Sequence, residues 1–112
     1  MPGISLHAVD VAGGMPATGM AVEIVALAAG ETPIASGVIG ADGALAHDVV
    51  RTTMAPGVYE ARFHIGAFYR ASGRACGFLD VVPFRFTVTD PQEHLHLPIK
   101  FTPFGYALFR GV

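Results

Sequence analysis

Leu95, Leu97, Ile99 and Phe101 alternate with His94, His96, Pro98 and Lys100 without interruption. Only a β-strand sends successive residues to opposite faces in this way, so the segment is committed to a sheet. The same alternation puts two imidazoles, His94 and His96, on one polar face, roughly 6–7 Å apart along the strand. Beyond Thr102-Pro103 the chain runs on through the aromatic stretch Phe104 to Arg110 and stops at Val112. An apolar end of this kind predicts an anchored C-terminus lying beside titratable rings.

Period-two runs recur upstream. Ile4, Leu6 and Ala8 oppose Ser5, His7 and Val9, and a loop with strong turn chemistry follows from Asp10 to Ala17. Met20 to Leu27 is apolar on both faces except for Glu23, which suits a strand buried between layers or against a subunit. A third strand is expected over Ile34 to Ile39, followed by Asp42-Gly43, a strong hairpin signal. Leu45 to Val50 reads as a short edge strand with His47 and Asp48 outward. Val58 to Ile65 alternates cleanly, with Tyr59, Ala61, Phe63 and Ile65 inward and Glu60, Arg62 and His64 outward. Ala67 to Ser72 lacks that period and predicts about two helical turns, ended by Gly73. Leu79 to Thr89 is a further strand, with Pro83 near its start, where proline is tolerated. Seven or eight strands at regular spacing with one short helix predict an antiparallel β-sandwich, with residues 1–112 forming a single domain.

Composition narrows the function classes. Of the 112 residues, 52% are apolar and 14% charged, so either the core is large or other subunits cover much of the outer surface. Small monomers rarely expose extensive apolar patches, which favours subunit contacts. A net charge of −2 provides no electrostatic footprint for nucleic acid. No stretch has the length and hydropathy of a membrane span, and the start of the chain lacks the basic head and apolar core of a secretory signal. A cytoplasmic location is the expectation. The single cysteine, Cys76, rules out an internal disulfide and reads as a structural or incidental thiol rather than a nucleophile.

Two signatures at opposite ends of the chain resemble the transthyretin family, in particular its enzymatic branch of 5-hydroxyisourate hydrolases. The first is Leu6-His7-Ala8-Val9-Asp10 with Gly14-Met15-Pro16-Ala17, similar to the family opening His-Val-Leu-Asp…Gly-x-Pro-Ala. The second runs from His94-Leu95-His96-Leu97-Pro98 through Pro103-Phe104-Gly105-Tyr106 to Phe109-Arg110-Gly111-Val112, and resembles a pattern that ends Tyr-Arg-Gly-Ser. Asp42-Gly43, Pro56-Gly57-Val58-Tyr59 and Phe86-Thr87-Val88-Thr89-Asp90 fall at family-like spacings between them.

The resemblance implies a transthyretin-like sandwich assembled as a homotetramer, a dimer of dimers, with His7 and His96 lining a channel between subunits. It implies no metal and no cofactor, with a small cyclic substrate. Opening a cyclic amide with water requires a base, a donor for the developing oxyanion and an acid for the departing nitrogen. Histidine suits the first and last of these near neutral pH. His7 and His96 match the family's two histidines, and Arg110 matches an arginine of the terminal tetrapeptide. Where the hydrolases carry an arginine after Asp-Gly, this chain has Ala44; Phe109 and Val112 replace the terminal tyrosine and serine. Ala44, Phe109, Arg110, Val112 and Thr102 are the candidate substrate-lining residues. Lys100 and Arg51 are candidates for a replacement cation, although a solvated surface charge is the plainer reading of each. His94 reads as structural, and His47 and His64 as exposed. Two alternatives stand beside hydrolysis: a non-catalytic tetramer binding a small molecule, and a zinc site built from His94, His96 and His7.

Overall fold

The computed structural model describes residues 2–112. Its strands are β1 (Gly3–Asp10), β2 (Met15–Pro16), β3 (Ala21–Ala26), β4 (Thr32–Val38), β5 (Gly57–His64), β6 (Val81–Val88), β7 (His94–Phe101) and β8 (Tyr106–Leu108). One helix, α1 (Ile65–Ala71), follows β5 directly. The strands form two four-stranded sheets, ordered β2-β1-β7-β8 and β4-β3-β5-β6. This is the sandwich with one short helix that the sequence predicts. One ladder departs from the antiparallel pattern: β1 and β7 run parallel, from Gly3 opposite His94 to Asp10 opposite Phe101. A parallel pair needs a long connection, and here the whole of the second sheet supplies it. The two ends of the chain thereby become neighbours.

Alternation determines which side chains meet between the layers. Ile4, Leu6 and Ala8 of β1 and Leu95, Leu97, Ile99 and Phe101 of β7 face Val22 and Ile24 of β3 and Tyr59, Ala61 and Phe63 of β5 in one core cluster. Each large side chain taken fully from water contributes about 1.5–3 kcal/mol. Phe101 packs edge-on against Phe68 and Tyr69, at ring separations of 5.9 and 5.7 Å, and so fastens α1 over the end of β7.

Several expected boundaries move. Leu45 to Val50 is not a strand: Ala44 and Leu45 make isolated bridges to His7 and Ile39, and Asp48–Val50 forms a single 3-10 turn. Local side-chain bonds favour the turn. The Val49 amide donates to His47 Nδ1 at 3.0 Å, and Thr52 Oγ1 donates to the Asp48 carbonyl at 2.7 Å. The helix begins at Ile65 rather than Ala67, because buried Ile65 and Gly66 belong to its first turn. Gly66 allows a close approach, since a Cβ there would lie 2.8 Å from the Leu79 carbonyl oxygen. Met15 and Pro16, read as loop, pair with the end of β1. Glu60, expected outward, is buried beneath Arg62 and Arg85, which both donate to its carboxylate. His47 and His64 are half-buried rather than exposed, and His64 Nε2 lies 3.2 Å from Glu23 Oε1. Cys76 is half-buried, with its Sγ 3.2 Å from the Leu79 carbonyl.

Candidate active site

The core-facing residues of β1 and β7 leave Ser5, His7, His94, His96, Pro98 and Lys100 on the opposite, outer face of their sheet. In the parallel register Ser5 is paired with His96 and His7 with Pro98. His7 and His96 are therefore diagonal neighbours on one face, about 7–8 Å apart at the backbone. Residues distant in sequence share this face solely because β1 pairs with β7.

Each imidazole is oriented by its surroundings. His7 Nε2 lies 3.1 Å from the carbonyl oxygen of Asp42. A carbonyl only accepts, so Nε2 carries the proton and Nδ1 of the neutral ring holds the lone pair. The Asp42-Gly43 turn that presents this carbonyl is closed by the Ala44 amide, which donates to Asp42 Oδ1 at 3.0 Å. His96 Nδ1 lies 2.7 Å from Ser5 Oγ, which leaves Nε2 free of protein partners among the described residues. Burial, reinforced by the neighbouring charges of His7 and His94, lowers the His96 pKa below its ordinary 6.5. His96 is thus held neutral near pH 7.

Two chain segments flank the paired rings. Ala44 bridges His7 in antiparallel register on one side, and Gly111 bridges His96 on the other. The Gly111 amide donates to the His96 carbonyl at 2.7 Å, and a Cβ on Gly111 would lie 2.8 Å from His96 Cδ2. Only a residue without a side chain permits that approach. The C-terminus is anchored here, as its aromatic composition predicts, and places exposed Val112 next to the site.

The remaining candidates are dispersed. Arg110 donates to Glu93 Oε1 at 2.7 Å and lines a small recess with Leu95 and Leu97, on the core side of β7. Phe109 is half-exposed just before it. Thr102 closes the β7–β8 turn, accepting from the Phe104 amide at 3.1 Å. Lys100 shares the outer face with His96 but lies about 13 Å further along the strand. Arg51 donates to Asp48 Oδ1 at 3.0 Å. It also lines an open cleft of about 530 Å³ together with Ala44, Asp42 and His47. Neither Lys100 nor Arg51 hydrogen-bonds to His7 or His96. The nitrogens His94 Nε2 and His96 Nδ1 both turn to Ser5 Oγ, at 2.8 and 2.7 Å, rather than towards a common open point. Ser5 is the site residue that sequence reasoning missed. The available signal was its shared parity with His7, and only the register with β7 gives that parity a meaning.

Comparisons with known proteins bear on the family and the fold. Residues 4–111 match the sequence model of the HIUase/Transthyretin family. The chain is 35% identical over 114 residues to the 5-hydroxyisourate hydrolase of Deinococcus radiodurans, covering 98% of this chain and 96% of that protein. Its fold superposes on the 5-hydroxyisourate hydrolase of Klebsiella pneumoniae with a TM-score of 0.86 at 27% identity, covering 100% of both chains. It superposes on transthyretin from Sparus aurata with a TM-score of 0.87 at 26% identity, covering 99% of this chain and 97% of that one. With family signatures at both ends, and with those ends brought together by the β1–β7 ladder, the chain belongs to the HIUase/transthyretin family.

Proposed function

We propose that this protein hydrolyses 5-hydroxyisourate, or a closely related cyclic amide, by histidine-assisted attack of water. The observation that carries this reading is the pairing of His7 and His96 on one face, each with a ring nitrogen fixed by a named partner. In this reading the neutral His96 takes the water proton at Nε2, and His7, having first taken up a proton on its Nδ1 lone pair, supplies it from there to the departing ring nitrogen. Together such effects contribute about 10²–10⁴-fold in rate. The full-length similarity to proteins named 5-hydroxyisourate hydrolase supports the substrate class.

Substrate contacts fall to Ala44 on one flank of the rings and Val112 on the other, with Phe109, Arg110 and Thr102 contributing from further along the same end of the chain. A neighbouring copy's Lys100 or Arg51 would supply the oxyanion cation, because neither reaches the imidazoles within one protomer. The assembly proposed is accordingly a homotetramer in which outer sheet faces approach one another. Exposed Phe104, Tyr106 and Phe109, at and beside the β8 edge of the same sheet, support covering of that edge by another copy.

The test generates 5-hydroxyisourate in place from urate and urate oxidase and follows its ultraviolet decay with and without this protein. Acceleration that tracks protein concentration is expected. Decay at the spontaneous rate, with an active relative as positive control, would sink the assignment and leave the family's non-catalytic binding role as the reading.

A further inference from the structure

The outer face holds a hydrogen-bonded chain that extends past the paired rings. Ser5 Oγ stands between two imidazoles, 2.7 Å from His96 Nδ1 and 2.8 Å from His94 Nε2. His94 Nδ1 in turn lies 3.3 Å from the carbonyl oxygen of Pro2. The strand register explains the arrangement: Ser5 sits directly opposite His96, and Gly3, opposite His94, has no side chain to separate the rings.

The proton positions in this chain follow from its end. The Pro2 carbonyl can only accept, so His94 Nδ1 carries a proton. In neutral His94 the other nitrogen, Nε2, must then accept, and the only hydrogen available to it is that of the Ser5 hydroxyl. Ser5 Oγ, having donated its hydrogen, accepts from His96 Nδ1–H. That leaves His96 Nε2 as a lone pair directed away from the chain. No other assignment satisfies all three contacts while both rings are neutral.

We propose that Ser5 and His94 are positioning residues that hold His96 in its Nδ1–H tautomer and receive the proton it collects. The proposal rests on the hydrolytic reading above for its purpose, and on hydrogen-bond geometry alone for its structure. The step balances. When Nε2 of His96 takes a proton from water, its Nδ1 proton passes to Ser5 Oγ, and the Ser5 hydrogen passes to His94 Nε2. The positive charge comes to rest on His94, and His96 is again neutral, now with its proton on Nε2. Reversal of the same shifts returns a proton through His96 Nε2 and restores the starting state. A fixed tautomer matters because an imidazole locked the wrong way presents a donor where the reaction requires an acceptor.

Nitrogen-15 spectra of the histidine rings in the substrate-free protein, in mildly alkaline buffer, test the tautomer without any assay. His96 is expected to show a protonated Nδ1 and a bare Nε2. Ser5→Ala should lose that preference and lower kcat at least about tenfold with KM little changed, whereas Ser5→Thr, which retains a hydroxyl, should restore both. His94→Gln keeps an acceptor for the Ser5 hydroxyl but cannot take up a proton. It should preserve the tautomer yet lower kcat. Thermal melting of each variant separates loss of fold from loss of the relay. A wild-type His96 protonated on Nε2 would overturn the proposal, as would a folded Ser5→Ala variant with unchanged tautomer and kcat. If wild-type protein fails to accelerate hydroxyisourate decay, the hydrolytic reading falls, while the nitrogen spectra still decide whether Ser5 sets the tautomer.

Discussion

His7 stands directly over Gly43: a Cβ added to that glycine would lie 2.7 Å from His7 Nε2. The same glycine has φ +84°, a conformation that side chains with a Cβ rarely adopt. Gly43→Ala therefore meets two penalties, backbone strain and displacement of the His7 ring from the Asp42 carbonyl. We expect a loss of about 1–3 kcal/mol in urea unfolding and a fall in kcat beyond what the folded fraction explains. A variant as stable and active as the parent would show that the turn adapts and that the His7–Asp42 bond is dispensable.

Ala44 stands where the family pattern set out above carries an arginine. It bridges His7 and borders the open cleft of about 530 Å³. An arginine built there has room to extend and a position adjoining the imidazoles. If the wild-type rate is limited by a missing oxyanion donor, Ala44→Arg should raise kcat/KM for 5-hydroxyisourate by up to about 10²-fold. A decrease would show instead that the small residue is part of a differently shaped substrate pocket.

His96→Asn removes the proposed base while leaving a polar side chain on the strand. Loss of one general base costs about 10²–10⁴-fold, so decay of hydroxyisourate should fall near the spontaneous rate. His7→Asn should fall by a similar factor. Wild-type rates in the His96 variant would remove His96 from the mechanism altogether.

These substitutions mark the division between what the chain's residues reveal and what only their arrangement reveals. The alternation of Ile4–Ala8 and Leu95–Phe101 was enough to predict both strands and to place His7 and His96 on solvent-facing sides. It could not say that the two strands are parallel neighbours, because register between segments so far apart is set by the packing of the whole sandwich. Ser5 illustrates the consequence: one serine on a polar strand face carries no signal until His94 and His96 are seen on either side of it. Leu45 to Val50 misled for the opposite reason. Its apolar residues mimic a strand, while His47, Asp48 and Thr52 satisfy the backbone locally and wind it into a turn. Arg110 matches its family motif by position, yet within one protomer it pairs with Glu93.

The partial burial of His96 should also be visible in stability. Burial first, then His7 and His94, hold its pKa below the ordinary 6.5. The unfolded chain therefore binds a proton, as pH falls through 6.5, that the native protein does not yet accept. Stability is fully present above that pH and declines as pH falls towards and through the native value. Melting temperatures measured from pH 8 to pH 5 should drop on the acid side, and His96→Asn should flatten part of that slope. An identical slope in the variant would mean that His96 titrates alike in both states.

A fully buried polar group, Asp10, governs the far end of β1. Its carboxylate is fully buried and accepts from Tyr69 Oη at 2.7 Å, from Arg74 Nη2 at 2.6 Å and from the Gly13 amide at 3.1 Å. Burial alone would raise its pKa, but the bonds from Tyr69, Arg74 and Gly13 outweigh it and hold the group below the ordinary 3.8. Arg74 also stacks over the Tyr69 ring at 4.7 Å, so one cluster joins β1, α1 and the following loop. Tyr69→Phe removes one charge-assisted bond and should cost about 1.5–3 kcal/mol in urea unfolding. Asp10→Ala should cost more, because it leaves the Tyr69 hydroxyl buried without its acceptor and Arg74 without its counter-charge. The double variant Tyr69→Phe, Asp10→Ala should then be less destabilised than the sum of the two single changes. Simple additivity would show that Tyr69 and Asp10 act independently.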